Sequence, residues 1–86
     1  MRYYIQNTNA GYLGNAPIFW AQDSRGYTCD LRKSHKFTES EAIKICMGNP
    51  EKNKAWPCEY IDGLESNQLV CDSQYLDSSQ IMSLNP

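Results

Sequence analysis

The chain has 86 residues, with eight Lys and Arg against ten Asp and Glu, four cysteines and six tyrosines. That length makes one core and leaves no room for a second, and the apolar and aromatic content excludes a disordered polymer. No stretch approaches the ~20 apolar residues that span a bilayer, and residues 1–7 turn polar without an apolar leader core, so the expectation is a cytoplasmic protein with no membrane contact.

Taken in order, residues 3–8 (Tyr-Tyr-Ile-Gln-Asn-Thr) read as a first strand from their aromatic and β-branched content. Turn residues follow at 9–11 and 14–15, flanking Tyr12 and Leu13. A second strand spans 18–22, with Pro17 at its start, where a missing N–H is tolerated. Residues 23–26 form a turn with Gly26 at positive φ, and 27–29 return as a short third strand. Gly11 and Gly14 do not make a phosphate cradle, because neither a lysine nor a helix follows them.

The clearest local signal lies at residues 37–50. Thr38 stands three residues before Glu41, the spacing of a capping box, and Phe37 is placed to pack on the first turn near Ala42. A helix therefore runs from Glu39 to about Met47, closed by Gly48 in the left-handed conformation and by Pro50. Ala42, Ile43, Cys46 and Met47 share one face, which predicts that Ile43→Asp unfolds the domain. After a charged loop, 55–61 reads as a strand started or edged by Pro57, then a turn at 62–63 and a partner strand over 68–72. Residues 78–86 form a tail that either frays or lies along the body through Ile81, Met82 and Leu84. The expected fold class is α+β, a two-layer domain over residues 1–77: an antiparallel sheet of four to five short strands with one α-helix packed on one face.

The chemistry-bearing residues are few. Cys29, Cys46, Cys58 and Cys71 lie 17, 12 and 13 residues apart, without the close pair that aims two thiolates at one zinc. With no leader, reduced thiols acting as small apolar side chains are expected rather than disulfides. No metal or other cofactor is expected. His35 is the single histidine and sits in a basic loop near Cys29, but nothing nearby supplies a pocket. Glu39 and Glu41 are explained by the dipole at the helix N-terminus. An enzyme is not expected.

Charge is divided unevenly along the chain. Residues 1–54 hold all eight bases against five acids, a balance of +3, whereas residues 55–86 hold five acids and no base. The acidic part suggests a protein-binding surface of Trp56, Glu59, Asp62, Glu65, Asp72 and Asp77, facing a partner with a basic surface. An exposed edge strand near Pro57 would allow a homodimer. The alternative is nucleic-acid binding by Arg25, Arg32, Lys33, His35 and Lys36, with Tyr12, Trp20, Tyr27 or Trp56 as stacking faces.

The run Gly26-Tyr27-Thr28-x-Asp30-Leu31, followed by Phe37-Thr38-x-x-Glu41-Ala42, resembles a group of small phage and prophage accessory proteins. These pair a Trp-containing strand with a Gly-Tyr-Thr-x-Asp-Leu turn and a Phe/Tyr-Thr/Ser-x-Glu-Glu-Ala helix start. Ser40 stands here in place of the first Glu, and the closing Trp56-Pro57-x-Glu59-Tyr60-Ile61 is similar in layout. The resemblance implies a protein of the bacterial cytoplasm that binds a host protein. A defence nuclease or CRISPR effector with a Lys- and Arg-lined nucleic-acid site is the target it suggests.

Overall fold

The computed structural model describes residues 1–24, 26–64 and 69–84. Its organising element is the first strand, β1 (Arg2–Asn7), in which every residue after Arg2 is buried. A strand buried on both faces reads as a continuous apolar run rather than an alternation, and Tyr3, Tyr4 and Ile5 supply one. Along one edge β1 pairs antiparallel with β7 (Asn53–Pro57), in the register Tyr4 opposite Trp56 and Ile5 opposite Ala55. It also pairs with β4 (Phe19–Trp20) at Gln6 and with β6 (Phe37–Thr38) at Arg2 and Tyr3. β5 (Tyr27–Thr28) adds to β4, with Trp20 opposite Tyr27. The result is a five-stranded antiparallel sheet with one main helix, α1 (Glu39–Gly48), an α+β fold. A separate ladder joins β2 (Tyr12–Leu13) to β3 (Ala16–Pro17).

The period of two along β1 divides the core. Tyr3 and Ile5 face α1 and pack with Phe37, Ala42, Cys46 and Ala55. Tyr4 faces the other way, among Phe19, Leu31, Trp56, Cys58, Ile61 and Cys71. That second face is closed by the loop carrying Leu31 and by α2 (Cys58–Asp62), with Leu76 and Ile81 packed against it. Buried polar side chains are satisfied, as a dry interior requires: Gln6 Oε1 accepts from Trp56 Nε1 at 3.0 Å, and Asn53 Oδ1 accepts from Trp20 Nε1 at 3.1 Å.

The capping box forms as read, Thr38 Oγ1 accepting from the Glu41 N–H at 3.2 Å and Glu41 Oε1 from the Thr38 N–H at 2.9 Å. Four other expectations are corrected. The helix turns Ala42 and Cys46 inward, with Ile45 beside them, and leaves Ile43 38% and Met47 64% exposed. The Ile43→Asp expectation therefore falls, because the buried face lies one residue round from the one read. Gly48 is not left-handed, and α1 ends through Asn49 at φ −155° with Pro50 behind it. The expected strand over 55–61 stops at Pro57, which leads into α2 instead. Proline is suited to a helix start, and a helical turn puts Cys58 and Ile61, three apart, together in the Tyr4 cluster. Among the described residues no hairpin partner follows: Val70 bridges to Asp30 and the Leu69 carbonyl accepts from the Leu31 N–H, while residues 65–68 lie outside the described set. Of the two alternatives for the tail, residues 81–84 lie along the body. The Met82 N–H donates to the Ala55 carbonyl at 2.8 Å, and Met82 and Leu84 pack on the α1 side.

A candidate binding cleft

On the α1 side of the sheet the helix packs chiefly on β1, β6 and β7. At 1.5 Å per residue its ten residues reach only about 15 Å, and the β4–β5 end of the face is left without a helix above it. There Trp20, Ala21, Asp23, Gly26, Tyr27, His35 and Phe37 line an open cavity of about 480 Å3. Cross-strand pairing sets Tyr27 beside Trp20, their ring centroids 5.7 Å apart and the planes at 89°. Phe37 approaches Trp20 from β6, 6.2 Å away at 82°. Two rings thus stand nearly perpendicular to one indole, and the His35 ring sits 4.3 Å from Phe37.

Backbone chemistry fixes this corner. The Ala21 N–H donates to the Gly26 carbonyl at 2.8 Å, closing the turn between β4 and β5. Gly26 takes φ 84°, and Asp23 takes φ 57°, the single non-glycine residue at positive φ among those described. Asp is among the residues that tolerate that region. The His35 N–H donates to the Trp20 carbonyl at 2.9 Å and Ser34 bridges to Ala21, drawing residues 34 and 35 alongside the end of β4. Among the described residues the Asp23 carboxylate has no hydrogen-bond or ion-pair partner.

The basic run is split by the alternation of extended backbone. His35 turns into the cleft, while Lys36 turns to the other face, with Nζ 3.7 Å from Asp62 and 6.0 Å from the Tyr4 ring centroid. Arg32 is held by Asp30 in a two-pronged pair of 3.2 and 3.0 Å, which raises the guanidinium pKa and lowers that of the carboxyl. Lys33 lines a neighbouring cavity with Asp23 and Tyr27, and Lys52 lies 5.9 Å over the Tyr27 ring. Arg25 lies outside the described residues. The four described ones do not form one surface, because Arg32 and Lys36 are internally paired and His35 belongs to the cleft.

The described acidic residues are also dispersed. Trp56 is only 4% exposed, its ring stacked on Tyr60, and offers no surface to a partner. Asp62 accepts from the Tyr4 hydroxyl at 2.8 Å; burial first, and that bond second, push the Tyr4 pKa above its ordinary value. Glu59 and Asp62 share their cavity with Arg2 and Lys36, so the charge there is balanced. Asp72 and Asp77 each accept a backbone N–H two residues on, from Gln74 and Ser79, and start short 3-10 turns. The bond lowers the Asp77 pKa. Glu65 lies outside the described residues. The free edge of β7 is met at Ala55 by Met82, so the edge expected for a homodimer has part of its bonding used.

Burial pushes the Cys58 thiol up to about 11 and raises that of Cys46, which makes both poor nucleophiles. Cys46 lies on one side of the sheet, and Cys58 and Cys71 on the other. Among the described residues no three His, Cys, Asp or Glu side chains gather as a metal site, and no helix is long and apolar enough to cross a membrane. Sequence reading named Trp20, Tyr27 and His35 separately but missed their convergence with Phe37 and Asp23; the β4–β5 hairpin with Gly26 at its turn was the available signal. No family model, curated protein or solved structure matches the chain.

Proposed function

We propose that this chain is a binding protein rather than an enzyme, and that its aromatic cleft receives part of a protein partner. The observation that carries this reading is the open cavity at the β4–β5 end of the sheet, lined by Trp20, the 44% exposed Tyr27 and the edge of the core residue Phe37. Such rings combine large contact area with little conformational freedom to lose, which is why they anchor protein interfaces. The acidic stretch contributes less, since Glu59 and Asp62 are balanced by Arg2 and Lys36, and Asp72 and Asp77 are engaged as turn caps. The resemblance to phage accessory proteins suggests a bacterial host protein with a basic surface, such as a defence nuclease or CRISPR effector.

The test compares capture from bacterial lysate by the immobilised wild type and two variants. A nuclease-resistant protein complex is expected with wild type, lost with Tyr27→Ala and kept with the double variant Glu59→Gln, Asp77→Asn. The reverse pattern returns the function to the acidic stretch. A second reading, single-stranded nucleic-acid binding, draws on Lys33 and Lys52 beside Tyr27. Retention on a single-stranded DNA column at low salt supports it, and flow-through removes it.

A further inference from the structure

We infer that residues 75–84 form a strap that lifts from the outer edge of β7 as one unit, with the Tyr60 hydroxyl as its clasp. At the root of the strap that hydroxyl accepts from the Asp77 N–H at 2.7 Å and donates to the Tyr75 carbonyl at 3.3 Å. Tyr60 is itself seated on α2, its ring stacked on Trp56. Between root and tip the strap is braced by its own bonds. Asp77 caps the turn Ser78–Gln80, the Gln80 N–H donates to the Asp77 carbonyl, and the Ile81 N–H donates to the Ser78 carbonyl. At the tip the Met82 N–H meets the Ala55 carbonyl at 2.8 Å. Leu76 and Ile81 pack on the Tyr4 cluster, Met82 and Leu84 on the α1 side. A braced segment held at both ends opens cooperatively, and with so few half-buried side chains it does so well below global unfolding.

The edge beneath is built for such a cover. The Ala55 carbonyl points at the strap, so by the alternation of an antiparallel ladder residues 53, 55 and 57 carry the outward backbone groups of β7. Their donors are spent or missing: the Asn53 N–H goes to the Asn49 carbonyl, the Ala55 N–H to the Cys46 sulfur, and Pro57 has none. Two such edges have no N–H to offer one another, whereas the strap brings a donor to the waiting acceptor. Covering an edge with a loop is also how a sheet avoids pairing with other chains. Under the strap, Cys46, Asn53, Lys54 and Ala55 line a cavity with Met82 and Leu84. Lifting it uncovers the Cys46 thiol, 2% exposed when the strap is down, which makes that thiol a reporter of the open state.

The test is native-state hydrogen exchange of the full chain, read by NMR, with the slowest β1 amides reporting global unfolding. In parallel Cys46 is labelled with iodoacetamide and the modified site located by mass spectrometry. In the wild type the Met82 amide is expected to be protected at least about tenfold less than those β1 amides. Tyr60→Phe keeps the ring on Trp56 and removes only the clasp. It should speed both Met82 exchange and Cys46 labelling about fivefold, although the substitution lies at the far end of the strap. Met82 protection equal to that of β1 would mean that the strap opens only with the whole fold. Met82 exchange unchanged in Tyr60→Phe would mean that the tip frays without the clasp. Cys46 labelling that does not follow Met82 would mean that the strap does not cover the thiol. Each of these three results overturns the inference.

Discussion

The two tryptophans make nearly the same hydrogen bond and occupy opposite situations. Trp56 donates to Gln6 and Trp20 to Asn53, each through its indole N–H to a buried carboxamide oxygen. Trp56 is roofed by Tyr60, in parallel stacking at 6.2 Å, and by the Tyr4 cluster. Trp20 is flanked by two perpendicular rings and opens onto a cavity. The difference comes from what each sheet face is given as cover. The Tyr4 side is closed by α2, the Leu31 loop and the segment after Cys71, whereas the α1 side is covered by a helix too short to reach β5. Similar side-chain chemistry is core in one place and a candidate site in the other.

The largest break in this comparison should come at Trp56. Trp56→Ala removes a ring that spans the Tyr4 cluster and should cost about 3–5 kcal/mol, much of the stability of a domain of this size, at ~5–10 kcal/mol. Urea unfolding followed by circular dichroism would show it, and a midpoint close to wild type would mean that Trp56 is not a core residue. Removing the hydroxyl of its cross-strand neighbour is a smaller perturbation on the same side. Tyr4→Phe removes the hydroxyl that donates to Asp62, leaves Lys36 beside that carboxylate, and should cost about 1 kcal/mol because the site is only partly buried.

The same region sets the alkaline limit. The Tyr4 hydroxyl and the Cys58 thiol both have folded-state pKa values raised above their ordinary 10 and 9. Each favours the folded state fully below its ordinary value, and that contribution fades as pH rises, first for Cys58 between about 9 and 11. Stability should therefore decline steadily above pH 9, and Tyr4→Phe should flatten the part of that decline owed to the tyrosine. An unchanged melting temperature from pH 8 to 11 would contradict the burial assigned to these groups.

On the cleft side the expectation inverts. Tyr27 is 44% exposed, so Tyr27→Ala should change stability by under about 1 kcal/mol while weakening partner binding by at least about tenfold. A comparably small effect is expected at Ile43, where Ile43→Asp should cost about 1 kcal/mol, well short of unfolding. Its melting curve sharpens the comparison, because a collapse of the fold there would restore the helix face read from sequence alone.

Local signals in the sequence proved legible and long-range ones less so. The capping box depends on residues three apart and was readable; so was Gly26 at positive φ, with φ 84° in the turn. The helix's buried side was misread because Ile43 and Ile45 are equally apolar, and only the sheet decides which one faces inward. Tyr60 and Ile61 carry strand propensity, but the three-residue spacing of Cys58 and Ile61 onto the Tyr4 cluster won over it. The cleft was visible as separate aromatics on β4 and β5 and hidden as a constellation. His35 reaches it because residues 34 and 35 pair with residues 20 and 21, and Phe37 because β6 pairs with β1, pairings between segments with no hairpin to announce them.

On this reading the Trp20 cleft, and not the acidic stretch, meets the partner. Placing the photo-crosslinking residue p-benzoylphenylalanine at position 27 or at position 59, in bacterial cells expressing the full chain, tests this most directly. A discrete, nuclease-resistant protein adduct from position 27 and none from position 59 is the predicted result. An adduct from position 59 with none from position 27 would contradict the claim.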